Sequence, residues 1–272
     1  MSDEDYEDPH DSYKVWKNTS KWRPFQLEML KIDFKHGKLE DIIDNIDIDN
    51  IILNDDIDRI LLPGINIINY ENININKKQL PFYNRLKQIL RFPDEPPVDS
   101  VAYDLLTWTE FEDINIHFRP QPKLTMKWKK YDISSNADFG VYSDRSIDQI
   151  PVEYLMIVED KRARASIYQN GECQLAGEML LAAYNRFENI QRDHIVYGII
   201  LKGNLIRFYK VIFSELYLQE LRKSKYPTIT IEPLTYPPQT ERALSLNIYE
   251  QREKIIKILC VLKQKTEELA IY

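Results

Sequence analysis

The residues best placed to do chemistry close an otherwise apolar run. Glu153 to Lys161 is nearly all hydrophobic until Val158-Glu159-Asp160-Lys161. Side chains alternate faces along a strand, so Glu159 and Lys161 share one face and Asp160 points to the other. A carboxylate and an ammonium can then converge on one point. Asp138 interrupts a second extended run, Ala137 to Tyr142, within Ala137-Asp138-Phe139-Gly140. If the two runs are neighbouring strands, two carboxylates and a lysine meet at a sheet end. Such a set suits metal-assisted phosphodiester hydrolysis. Hard carboxylate oxygens from Asp138 and Glu159 hold Mg²⁺ or Mn²⁺, and the backbone carbonyl of Asp160 is placed to reach the same ion. Lys161 can lower the pKa of an attacking water and offset charge developing on phosphate. No nucleophilic side chain is required.

The competing reading of Glu159 and Lys161 is a solvated surface ion pair of little worth. The apolar run before them weighs against it, because charges in such surroundings need a partner or a metal. Asp138 could instead be a turn acid bonded to local amides. A shifted register would pair Asp160 with Arg162, but arginine cannot tune a water as lysine does. Lys127, Lys129, Lys130, Arg162 and Arg164 offer a phosphate-contacting rim, against their ordinary reading as a solvated face. Trp128 and Tyr131 could stack on bases, with core packing as the simpler role. His117 and His194 show no partner in sequence and read as surface or core.

Other chemistries are excluded by what is missing. The seven glycines fall in neither G-x-G-x-x-G nor G-x-x-x-x-G-K, which removes the common nucleotide cradles. Two cysteines, Cys173 and Cys260, form no C-x-x-C pair and no disulfide framework, so both read as buried thiols in a reducing compartment. There is no H-E-x-x-H and no G-x-S-x-G. The acidic start and the absence of a long apolar run predict an intracellular protein of the cytoplasm or nucleus, with no signal peptide and no membrane span. The net charge of -7 weighs against nucleic acid, but it is local. Residues 1–60 carry 16 acids and 8 bases, and residues 61–272 carry 27 and 28.

The elements that must position these residues follow from periodicity. An acidic tail, 1–13, precedes an amphipathic segment from Trp22 to Phe34. Residues 41–78, rich in Ile, Asn and Asp, read as a peripheral helical or irregular layer. Leu80 to Phe92 is a helix stopped by Pro93, Pro96 and Pro97, which sets a boundary near residue 95. Beyond it come a helix from Val98 to Phe111 and three extended runs, Lys123–Tyr131, Ala137–Tyr142 and Glu153–Lys161. A helix, Gln174–Phe187, precedes a hairpin of Ile195–Leu201 and Leu205–Val211 turning at Lys202-Gly203-Asn204. A possible strand, Thr228–Ile231, and a long helix, Thr240–Leu269, complete the chain.

This order, with Asp on the second strand, Glu159-x-Lys161 on the third and Gln174-Leu-Ala-Gly-Glu178 opening the next helix, resembles the PD-(D/E)XK nuclease superfamily over residues 98–212. The resemblance implies an α/β, restriction-endonuclease-like fold: a mixed central sheet flanked by helices, with a helical N-terminal addition (1–95) and a long C-terminal helix ending the 96–272 domain. It implies that Asp138 and Glu159 are metal ligands, Lys161 the catalytic lysine, and Gln174 the residue that holds substrate or water. Two positions depart from the pattern. Ala137 stands where many members have proline, and Glu178, one turn after Gln174 on the same face, stands where the glutamine motif has tyrosine. The expected activity is Mg²⁺- or Mn²⁺-dependent cleavage of nucleic acid, DNA in preference to RNA. The alternative is a catalytically silent fold that binds nucleic acid or protein, with the acidic N-terminal region addressing a protein partner.

Overall fold

A computed structural model of the chain describes residues 18–53, 57, 61, 80–91, 95–143, 152–161 and 171–271. The acidic tail, most of the Ile/Asn-rich stretch, Arg162 and Arg164 lie outside the described residues. The protein is α/β, with a mixed multistranded sheet flanked by helices. The helices are α1 (Pro24–Met29), α2 (Leu39–Ile42), α3 (Leu80–Arg91), α4 (Glu95–Trp108), α5 (Glu172–Asn189), α6 (Glu215–Arg222) and α7 (Tyr249–Ile271). The strands are β1 (Lys35–His36), β2 (Ile116–Pro120), β3 (Lys123–Trp128), β4 (Tyr131–Asn136), β5 (Phe139–Ser143), β6 (Tyr154–Lys161), β7 (His194–Lys202), β8 (Leu205–Phe213), β9 (Leu234–Tyr236) and β10 (Leu244–Ser245). No described helix is long and apolar enough to cross a membrane.

The main sheet runs β1-β9-β8-β7-β6-β5-β2, with β10 also on β8. Its centre holds the site. β5 and β6 are antiparallel, whereas β6 and β7 are parallel, so a crossover must link the latter pair, and α5 supplies it. β6 is buried on both faces from Tyr154 to Asp160, as its apolar sequence requires. Met156 and Val158 pack into the cluster that includes Val101 and Leu105 of α4 and Leu259 of α7. Ile157 packs into the opposite cluster, with Leu175 and Met179 of α5 and Trp22. Each such aliphatic side chain contributes about 1.5–3 kcal/mol on burial. The same alternation sends Glu159 and Lys161 toward α5 and Asp160 toward α4.

Several sequence expectations change. The Trp22–Phe34 helix is cut to α1, because Lys31 takes a positive φ of 50° and the chain turns to bridge Ile32 with Ile231. The proline cluster starts a helix as well as ending one. Pro96 and Pro97 lie in the first turn of α4, where a missing N–H removes no intrahelical bond. α3 and α4 contribute to one hydrophobic cluster. The first extended run becomes β3 but pairs only with β4, as a two-stranded ribbon outside the main sheet. β2 takes the place beside β5. In Thr228–Ile231 only Ile231 pairs, and the strand is β9, after Pro233. The final helix starts at Tyr249, because residues before it serve Arg207 and β10. Arg207 is buried and donates to the carbonyls of Pro237, Pro238 and Glu241 at 2.6–2.7 Å.

Candidate active site

Glu159 and Lys161 stand on one face of β6, as the strand period requires. Lys161 Nζ donates to Glu159 Oε1 in a close ion pair. The Glu159 side chain is wholly buried, while that of Lys161 is 22% exposed and forms the open side of the pair. Facing them from α5 is Glu178, also without exposure. Its Oε1 accepts from Ser135 Oγ at 2.7 Å and from Gln174 Nε2 at 3.0 Å. Gln174 and Glu178 are one helical turn apart and therefore neighbours on one face. Ser135 arrives from β4, so the ribbon also braces the site.

Asp138 occupies the short link between β4 and β5, just before the strand it was expected to lie on. Its Oδ2 accepts the backbone N–H of Asp160 at 2.7 Å, and its carbonyl accepts the N–H of Gln121 at 2.9 Å. The Asp160 side chain points to the other face of the sheet, where the Asp99 carboxyl of α4 stands beside it. Both Asp160 carboxyl oxygens are buried and have no donor among the described residues.

The charges are out of balance. Burial, then repulsion from Glu178 and Asp138, drives the Glu159 carboxyl well above the usual carboxylate range, against the pull of Lys161. Burial and the neighbouring Asp138 and Asp99 push Asp160 up to about 9. Burial pushes Glu178 up to about 7, although the hydrogen bonds from Ser135 and Gln174 oppose it. Burial works against the Lys161 ammonium, but Glu159 and the other acids hold its pKa above the ordinary lysine value. Like charges crowded in a low-dielectric interior cannot all ionise unless protons or a cation compensate.

Among the described residues, no three His, Cys, Asp or Glu side chains are grouped so as to hold a metal ion. A cation would nonetheless find oxygens to satisfy. Glu159 Oε2 and Glu178 Oε2 are buried on one face of β6 and accept from no donor among the described residues. The donor set is all hard oxygen, which suits Mg²⁺ or Mn²⁺ held by few carboxylates plus water.

Asp138, Glu159, Lys161 and Gln174 thus gather at one end of β6, with Gln174 acting through Glu178. Sequence reasoning missed Ser135, because β4 is too polar to announce itself as a strand, and it missed Asp99. It also missed Glu172, a buried acid that accepts from Tyr209 Oη at 2.9 Å and Gln239 Nε2 at 2.7 Å. The remaining candidates have other roles. Trp128 is core, its indole N–H donating to the Lys225 carbonyl at 3.3 Å. Tyr131 packs partly buried against the same cluster. His117 lies 3.0 Å from a Glu112 oxygen at the surface, and His194 is buried against the Ile190 carbonyl. No protein-family model matches the chain, and no curated protein matches it.

Proposed function

We propose that the protein is a Mg²⁺- or Mn²⁺-dependent nuclease on a restriction-endonuclease-like fold, acting on DNA in preference to RNA. The observation that carries this reading is the Glu159–Lys161 pair at the end of a buried strand, with Asp138 fastened to the same strand through the Asp160 N–H. The sequence of elements supports it: a core helix, antiparallel β2, β5 and β6, a crossover helix, then parallel β7.

Asp138, Glu159 and the Asp160 carbonyl would hold the ion. When bound, such an ion polarises a phosphoryl oxygen and lowers the pKa of water. Lys161, kept protonated by its acidic neighbours, sets positive charge beside Glu159, where it offsets charge growing on the phosphate oxygens. Ser135 and Gln174 fix the Glu178 carboxyl against Glu159. Gln174 is in this role a positioning residue. The acidic first 60 residues would address a protein partner, consistent with an intracellular enzyme.

The second reading is a catalytically silent binding module, favoured by the lack of a three-ligand group among the described residues. A plasmid and oligonucleotide cleavage assay with Mn²⁺ and Mg²⁺, on wild type and Glu159→Ala, separates the two. Metal-dependent cleavage lost in the variant is the result expected. No cleavage by wild type, together with no Mn²⁺-induced thermal shift, would leave only the silent module.

A further inference from the structure

The tip of the β3–β4 ribbon carries a concentration of positive charge that the proposed chemistry does not use. Lys127 projects from the exposed face of β3, and Lys129 and Lys130 form the turn. The turn is docked on the segment that follows α6. Trp128 donates to the Lys225 carbonyl, and the Lys129 N–H donates to Ser224 Oγ at 3.1 Å. These contacts seat on the ribbon a segment whose Arg222, Lys223 and Lys225 are exposed. The Lys129 ammonium lies 3.8 Å from the centre of the Tyr226 ring and 5.0 Å from that of Trp128, which fixes it in place. The acids nearby are Asp132, opposite Lys127 on β4, with Glu188 and Glu220. Glu220 is already engaged by the Thr228 N–H and hydroxyl.

We infer that this surface binds the phosphate backbone of duplex DNA. A chain that is acidic overall gathers cations here on a rigid two-part scaffold, and charge complementarity selects a polyanion. The other end of the ribbon is the candidate site: Ser135 of β4 holds Glu178, and Asp138 follows β4. At about 3.4 Å per residue the tip lies roughly 20 Å from that root. A B-form turn rises about 34–36 Å, so a duplex on both would span about half a turn. The form of the substrate rests on the nuclease reading; the patch itself does not.

The test is fluorescence anisotropy of a labelled 20-base-pair duplex with the full chain in EDTA, titrated with salt. Wild type should bind with strong salt dependence. Lys127→Gln, Lys223→Gln and Lys225→Gln should each lower the slope of log K against log salt by about 1. The triple variant should bind at least about tenfold more weakly at low salt while its melting temperature stays unchanged. Salt-insensitive or absent duplex binding by wild type, a triple variant that binds like wild type, or preference for single-stranded RNA would each overturn the inference. Glu159→Gln should leave this binding intact while removing cleavage, so the patch and the nuclease reading fail separately.

Discussion

The backbone N–H of Asp160 and the carboxylate of Asp138 meet at 2.7 Å, and this bond sets how far the two expected metal-binding acids stand apart. Asp138 lies on a link between strands and Glu159 on a strand. Without the bond, the link could move relative to β6. With it, the position of one carboxylate is read from the main chain beside the other.

The bond that Asp138 makes to the Asp160 amide is separable from the metal binding proposed for it. Asp138→Asn keeps an oxygen for the Asp160 amide, whereas Asp138→Ala leaves that amide without its partner. The alanine variant should lose about 1–2 kcal/mol of stability and the asparagine variant less. Both should lose Mn²⁺ binding by calorimetry. Equal stabilities in denaturant melts would show that the bond does not matter to the fold.

Glu178 should make the protein less stable as pH rises. Its carboxyl is pushed up to about 7 in the fold, against about 4.3 in an unfolded chain, so the folded state binds the proton more tightly. The stabilisation is full below about pH 4.3 and is lost as pH climbs through 7. Denaturant melts at pH 5, 6, 7 and 8 in EDTA should show this decline. Glu159 and Asp160, whose carboxyls are also raised, add to the decline, so Glu178→Gln, which retains an acceptor for Ser135 and Gln174, should make it shallower without removing it.

His194 should act at the acid end. Burial, then the nearby Arg186, lowers its pKa to about 4 from 6.5. The unfolded chain then takes up a proton that the native state refuses, so stability present above pH 6.5 is lost as pH falls toward 4. The loss is on the order of 3 kcal/mol. His194→Gln should melt with a shallower acid dependence over that range, and an unchanged profile would refute the assignment.

Gly140 should tolerate no side chain. A Cβ there would meet the Tyr154 ring at 2.6 and 2.7 Å and Pro122 at 2.9 Å, while one at Gly171 would meet only ordinary contacts at 3.8 Å. Gly140→Ala should cost about 1–3 kcal/mol, and Gly171→Ala less than about 0.5 kcal/mol. Thermal melts of the two variants give the comparison directly.

What could be read in advance follows from how local each signal is. β6 declares itself through an uninterrupted apolar run, and the period of two assigns Glu159 and Lys161 to one face without any tertiary information. The hairpin of β7 and β8 is marked by Gly203, whose φ of 58° suits its turn. β4 carries Asp132, Ser134, Ser135 and Asn136, residues with little preference for strands, and forms only because β3 and α5 accept it. The same is true of the Ser135–Glu178 bond, which joins positions that no sequence spacing relates. Gln174 could be placed on the right helix face, but its bond to Glu178 depends on what buries that face.

Lys31 Nζ reaches the carbonyl of Thr228 at 2.8 Å across 197 positions, next to the pairing of β1 with β9. During synthesis the early segment leaves the ribosome long before its partner exists. At about 5–20 residues per second the delay is roughly 10–40 s. Ile32, buried in the finished protein, lacks its Ile231 partner until then. A nascent chain arrested before Thr228 would keep that adhesive segment open, so premature termination late in the message should yield aggregates instead of a shortened but native domain.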